Sequence, residues 1–367
     1  MIHDPTQLPA GLPVPTDDGA AEHLRGMAVP DIVVEINESG GVARAGLKDV
    51  LRESGRAVLF FYPRTGVPGQ PPSLGFAGEE WESIAGARGC TPQACGFRDL
   101  HASFVGHGVA VFGVATNTAE HQREFAQRTG AKYRFISDAS LTLTSSLNLP
   151  TFEFPVESGG PSTLLRRMAW FVENDSRGTP RIRRVWYPVF PPDRNAADVL
   201  AWVERRTTAS VRMSREGDRG FIVEMATELF GGPEIWSMGK PYDTLTLPTL
   251  IAEVGGVARG MACLAQHSDS IEVVALAAKD QFGGIGSLLM DAAEDWARDQ
   301  GLSRLVLTTS NDNLDAMRFY QRRGMRMTRV YAGLIDEYRK KVPTIPRIGH
   351  YGIPIRDDVL MEVELSP

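Results

Sequence analysis

The run Gln281-Phe282-Gly283-Gly284-Ile285-Gly286 has residue types suited to holding a diphosphate. Glycines let backbone approach a phosphate without an intervening side chain. If a helix begins there, its first N–H groups lack intrahelical partners and converge on one spot, where the helix dipole adds partial positive charge. A second pair of interest is Cys90 and Cys95. In a reducing compartment, two nearby thiols point to redox chemistry or to a metal. Two thiols do not complete a zinc set, and no histidine pair with ligand spacing lies beside them, so no metal is expected. Cys263 lies in an apolar stretch and reads as a small buried hydrophobe.

The elements needed to position these groups are also legible. Glu272 to Ala278 is an apolar run of strand length, and Ser287 to Ala297 carries apolar residues on one helical face. The glycine run thus sits between a strand and a helix. Around the cysteines, 57–62 and 109–115 read as strands, and 96–104 and 119–130 as helices. Residues 167–173 and 182–189 read as strands, and 196–205 as a helix. Alternation of this kind predicts an α/β layered fold.

With 367 residues, the chain is long enough for two domains with separate cores. The polar run Arg205-Arg206-Thr207-Thr208-Ala209-Ser210 marks the division, giving domains at 29–207 and 208–367. Residues 1–28, rich in Pro, Gly and Asp, read as a disordered or loosely attached leader. A net charge of -6 gives no indication of a nucleic-acid partner. No apolar run reaches membrane-spanning length and no signal peptide is apparent, so no membrane association and a cytoplasmic location are expected.

The glycine run, its flanks and the later segment Asn311-Asp312-Asn313-Leu314-Asp315-Ala316-Met317-Arg318-Phe319-Tyr320, ending in Gly324-Met325, resemble the two signatures of the GNAT superfamily of acetyltransferases. The resemblance covers about 210–335 and implies acetyl-CoA as co-substrate and a small-molecule amine as acceptor. It implies that Gln281, Phe282, Gly283, Gly284, Ile285, Gly286 and Ser287 hold the pyrophosphate. Leu276, Ala277 and Ala278 would pair with the pantetheine arm along a strand splayed from its neighbour. Tyr320 stands where the family often places the general acid for the thiolate; a phenol stays protonated at neutral pH. Its other reading is an aromatic packed beside Phe319. Asn313 would contact the cofactor, cap the following helix, or both. Glu272 stands where some members carry a catalytic glutamate; it reads equally as a solvated strand-end charge, with deprotonation through water as a third course.

Phe60-Phe61-Tyr62-Pro63, then Gly89-Cys90-Thr91-Pro92-Gln93-Ala94-Cys95-Gly96-Phe97-Arg98-Asp99, resemble the Q-type (bacterioferritin-comigratory) peroxiredoxins over about 29–203. The resemblance implies a thioredoxin-like fold, with Cys90 as peroxidatic thiol, Cys95 as resolving thiol, Arg167 as the positive charge beside the thiolate, and a thiol reductant such as a thioredoxin as partner. On one intact helix the two Cα atoms would stand roughly 8 Å apart, beyond the disulfide limit of about 7 Å, so bridging requires the first turns to unwind. This chain departs from the family pattern in two places. Ala87 stands where the family has a peroxide-holding threonine, and an insertion runs from about 69 to 88. Thr65 and Thr91 are the candidate replacement hydroxyls.

The sequence is thus read as an acetyl-CoA-dependent N-acetyltransferase fused to a redoxin domain with thiol chemistry. The alternative is a thiol peroxidase whose second domain senses CoA.

Overall fold

The computed structural model describes residues 8–38, 41–66, 79–155, 160–279 and 284–366. The chain divides into two compact units, Met1–Glu204 and Arg205–Pro367.

The first unit is built on a seven-stranded sheet. Its order is Gly41–Gly46, Val33–Glu38, Arg134–Ser137, Ala110–Ala115, Arg56–Phe61, Met168–Asn174 and Pro180–Trp186. The pairings of Arg56–Phe61 with Ala110–Ala115, and of the latter with Arg134–Ser137, are parallel; the others are antiparallel. Arg56–Phe61 is an interior strand with both faces covered, and it is apolar almost throughout. Leu59 and Phe61 enter a core with Leu47, Leu51 and Trp170. Val58, Phe60 and Tyr62 enter the opposite core with Cys90, Phe97, Phe104 and Val199. Phe60 stacks on Phe97 at 4.3 Å, which fixes the cysteine-bearing helix Cys90–Asp99 against the sheet.

The leader differs from expectation over its described part. Leu24 is fully buried in the core with Ala21 and Val29, and Gly26 N–H donates to Ile182 O at 2.7 Å. Tyr187 donates to the Asp18 carboxylate at 2.9 Å. The Pro/Gly-rich composition signals irregular backbone, but a single well-placed leucine and strand-edge hydrogen bonds suffice to dock it.

The second unit is also a seven-stranded sheet, ordered Ala209–Met213, Thr249–Val254, Val257–Gln266, Ser270–Ala278, Arg304–Ser310, Asp358–Glu364 and Arg326–Tyr331. The pairing of Ser270–Ala278 with Arg304–Ser310 is parallel, and the crossover between them contains the helix Ile285–Asp299. Leu289, Met290, Ala293 and Ala297 bury one face of that helix on the sheet. Gly260 allows the contact, since a Cβ there would lie 2.6 Å from Ile285 Cγ2 and 2.7 Å from Ala277 O. The helix is also tied down by ions. Asp291 accepts from Arg206 at 2.9 Å and from Arg323 at 2.7 Å, and Arg323 also reaches Glu294 at 2.8 Å.

Candidate functional sites

The thiol site of the first unit starts from Gly89, whose φ of 106° places it in the left-handed region at the N-cap of Cys90–Asp99. A Cβ at Gly89 would also stand 2.4 Å from Pro192 Cγ. Cys90 is therefore the first helical residue, at the positive end of the helix dipole. Its thiol is buried and donates weakly to Ala87 O at 3.7 Å. Arg167 reaches the sulfur, with Nη2 at 3.3 Å from Cys90 Sγ. The guanidinium is held by the carbonyls of Gly86 (3.1 Å), Ala87 (3.0 Å) and Arg88 (3.3 Å), and by the Gln93 side chain. Gln93 in turn donates to Asn195 at 2.9 Å. The segment preceding Cys90 thus contributes main-chain acceptors that orient the arginine, with alanine at the position of the family's threonine.

Tyr62 is buried on the same side of the sheet as Cys90, and among the described residues its hydroxyl has no hydrogen-bond partner. Burial, then the neighbouring Cys90, push its phenol well above the ordinary range. Thr65 is buried, and among the described residues its hydroxyl has no hydrogen-bond partner. Cys95 lies on the same helix, and both cysteines are free. Burial pushes the Cys95 thiol up. Part of the insertion, 69–78, lies outside the described residues. The part that follows is docked, with Trp81 packed on Phe154 at 5.0 Å and against Ala87 and Leu164.

In the second unit, the parallel pairing of Ser270–Ala278 with Arg304–Ser310 ends at Glu272 opposite Val306, although both strands continue. Beyond that point Leu276, Ala277 and Ala278 remain paired to Ala262, Met261 and Gly260 on the other edge. Gln281, Phe282 and Gly283 lie outside the described residues. Gly284 follows in the left-handed region (φ 86°) and caps Ile285–Asp299 with no side-chain hydrogen bond. Leu288 N–H donates to Gly284 O at 3.1 Å, so the amides of Ile285, Gly286 and Ser287 come before the first N–H that donates within the helix. Gly286 lies against Phe319; a Cβ there would meet its ring at 3.5 Å. Asn313 caps the helix Leu314–Gln321, its Oδ1 accepting from Ala316 N–H at 3.3 Å. Tyr320 is buried beside Phe319, and burial pushes its phenol up to about 12.

Glu272 is not a solvated strand-end charge: it is fully buried. Side chains from separate elements satisfy its oxygens. Ser237 donates to Oε1, Tyr242 donates to Oε2 at 3.0 Å, and His267 Nε2 lies 2.8 Å from Oε2. Thr308 is hydrogen-bonded to Ser237 at 2.8 Å. Asp358 is almost fully buried, and among the described residues its Oδ2 has no hydrogen-bond partner. Burial, and secondarily the Glu272 charge, push its carboxyl up to about 7. Sequence reasoning missed Ser237, Tyr242, His267, Thr308 and Asp358, as it missed Gln93 and Asn195. Gln93 lies inside the cysteine motif without a role legible there, and the others belong to no local motif; sheet register and the packing of distant elements bring them together.

Comparison with known proteins agrees with the two units. The Redoxin family model matches residues 25–200, and the acetyltransferase (GNAT) family model matches residues 221–325. The chain is 27% identical to peroxiredoxin bcp1 of Schizosaccharomyces pombe over 145 residues, covering 39% of this chain and 62% of that protein. It is 36% identical to the uncharacterized protein YxbD of Bacillus subtilis over 100 residues, covering 27% of this chain and 63% of that one. The chain thus spans less than two thirds of the length of these relatives. Among solved structures, peroxidoxin BcpB of Mycobacterium tuberculosis is similar at 24% identity and a TM-score of 0.36, over 49% of this chain and 96% of that one. A GNAT family acetyltransferase from Elizabethkingia anophelis, solved with acetyl-CoA bound, is similar at 21% identity and a TM-score of 0.35, over 43% of this chain and 99% of that one. The chain carries a Redoxin domain of thioredoxin-like fold followed by a GNAT acetyltransferase domain.

Proposed function

We propose that the protein transfers an acetyl group from acetyl-CoA to a small-molecule amine, and that residues 29–207 and 208–367 form its redox and transfer domains. The observation that carries this reading is the parting of two parallel strands at Glu272, on the edge that leads to the glycine-opened helix. An unpaired strand edge offers alternating N–H and C=O groups to an amide-bearing arm, which suits pantetheine at Leu276, Ala277 and Ala278. The amides of Ile285, Gly286 and Ser287 suit the diphosphate, with Gln281, Phe282, Gly283 and Gly284 completing the loop. Acetyl-CoA supplies the activated acyl thioester. Tyr320, held protonated by burial, serves as proton donor to the departing thiolate. Glu272 serves as base for the amine, relayed through its buried network. Asn313 sets the start of the helix that carries Tyr320 and is a candidate cofactor contact.

The test is titration calorimetry of the full chain with acetyl-CoA, followed by CoA release across a panel of amines. Binding with amine-dependent release supports the reading; no heat with acetyl-CoA overturns it.

A second activity is favoured by the 3.3 Å approach of Arg167 to Cys90 Sγ. We propose thiol redox chemistry there, with Cys90 attacking a peroxide or disulfide, Cys95 resolving it after the helix start unwinds, and a thioredoxin-like thiol reductant restoring both. Peroxide consumption with a thiol reductant, lost in Cys90→Ser, supports it. If that activity is present and no amine releases CoA, the second domain is a CoA-binding sensor.

A further inference from the structure

The described leader runs outside the core from Leu8 to Asp18, before Ala21 and Leu24 enter it. Its first part, Leu8-Pro9-Ala10-Gly11-Leu12-Pro13-Val14-Pro15-Thr16, carries three prolines, which favour extended backbone over helix. Among the described residues, no backbone hydrogen bond joins 8–18 to another element. Side chains alone lay this segment on the thiol site. At its anchor, Tyr187 donates to Asp18 at 2.9 Å. Pro15 lies on Gly86, where a Cβ would meet its Cγ at 3.5 Å. Gly86 supplies one of the carbonyls that hold Arg167. Pro15 and Thr16 also line one cavity with Gly86, Arg167 and Tyr187. Farther along, Leu8 reaches Gly89, the residue before Cys90: a Cβ there would stand 2.8 Å from Leu8 Cδ2 and 2.4 Å from Pro192 Cγ. Gly89 is thus gripped between Leu8 and Pro192.

That grip opposes the movement the two cysteines need. Bridging Cys90 to Cys95 requires the first turns of their helix to unwind, and unwinding carries Gly89 out of its place. One of the two neighbours of Gly89 must then leave. Pro192 is buried and opens the turn Pro192–Arg194, which leads into Asn195, the partner of Gln93. Leu8 is half-buried and belongs to neither core of this unit. A segment with few buried contacts and no backbone bonds to its neighbours opens at much lower cost than a core element. The leader is therefore the part that moves.

We propose that residues 8–18 form an autoinhibitory strap, which keeps the start of the Cys90 helix wound and covered. Lifting the strap, hinged at the Asp18–Tyr187 bond, exposes Cys90 and frees its first turn. The strap's effect on turnover rests on the thiol redox reading; its covering of Cys90 does not.

The test is the rate at which iodoacetamide alkylates each cysteine of the full chain, read by peptide mass spectrometry. Leu8→Ser removes the contact at Gly89, and Tyr187→Phe removes the anchor while keeping the ring. In Leu8→Ser, Cys90 should react about tenfold faster, since a half-buried leucine no longer holds the covered state and the rate follows the open population. Tyr187→Phe should shift it in the same direction by a smaller factor. Cys95 and the buried Cys263 should keep their wild-type rates, which separates lifting of the strap from a general loosening. A Cys90 rate equal in wild type and both variants overturns the proposal. So does an equal acceleration of Cys90 and Cys95. Hydrogen peroxide consumption with dithiothreitol, measured on the same proteins, keeps the two readings apart. Faster alkylation of Cys90 with no peroxide consumed by any of the proteins supports the strap and removes the peroxide reading alone. Peroxide consumption with Cys90 alkylation unchanged by either variant overturns the strap and leaves the thiol reading standing.

Discussion

Arg167 Nη2 lies 3.3 Å from Cys90 Sγ, across 77 residues of chain. The same guanidinium is fixed by three consecutive carbonyls, those of Gly86, Ala87 and Arg88. That arrangement fixes a positive charge against the sulfur at a helix start. A planar fork meets several acceptors at once, which an ammonium cannot do. Arg167→Lys is therefore expected to keep the charge and lose the geometry. The rate of Cys90 alkylation by iodoacetamide at neutral pH should drop by about tenfold. An unchanged rate would show that the helix start alone sets the reactivity.

Gln93 links Arg167 to Asn195, joining the cysteine helix to the start of the last helix of the first unit. It is fully buried, so Gln93→Leu leaves two polar partners without their bonds. A loss of about 1–3 kcal/mol is expected in chemical denaturation. A midpoint equal to wild type would show that the surroundings relax to satisfy both.

Tyr320 has a phenol pushed up to about 12 by burial, and its ring is one wall of the second core. Tyr320→Phe removes the phenol hydroxyl, the proposed proton donor, and keeps the ring. Turnover should fall by about a hundredfold while the heat and affinity of acetyl-CoA binding stay near wild type. Equal turnover in the two proteins would assign the tyrosine to packing alone.

Asp358 makes stability depend on pH in a direction opposite to that of most carboxylates. Its folded carboxyl titrates at about 7 because of burial, whereas the unfolded one titrates near the ordinary value of 3.8. Between those values the folded state holds a proton that the unfolded state has lost. Unfolding therefore releases a proton, and this group's contribution falls as pH rises through the interval. The slope is at most about 1.4 kcal/mol per pH unit for one proton. Denaturation midpoints from pH 4 to 8 should drop less steeply in Asp358→Asn than in wild type. Parallel curves for the two proteins would show that Asp358 is ionised in the folded state.

Much of the fold is legible in the residue pattern alone. The alternation of strand and helix patterns indicates two α/β units, and Cys90 opens a helix as its motif resemblance implies. Gly284 is helix-opening because its conformation is a local property of backbone without a Cβ. The docked leader escapes such reading because composition reports backbone irregularity, not whether one leucine finds a core. Glu272 escapes it for a related reason. Its position near a strand start says nothing about what the neighbouring hairpin places over it.

Short-range devices follow from the amino-acid order: the left-handed Gly284 before the helix Ile285–Asp299, the cysteine at a helix start, and the asparagine cap at Asn313. Each depends on conformations and hydrogen bonds within a few residues. Which distant groups share a site is settled by the folded chain as a whole: Arg167 with Cys90, and Glu272 with Ser237, Thr308 and Asp358. Those meetings depend on strand order and pairing register, where a shift of one residue would turn every side chain to the opposite face. No local pattern encodes that choice, because it results from burying the whole apolar surface of each sheet at once.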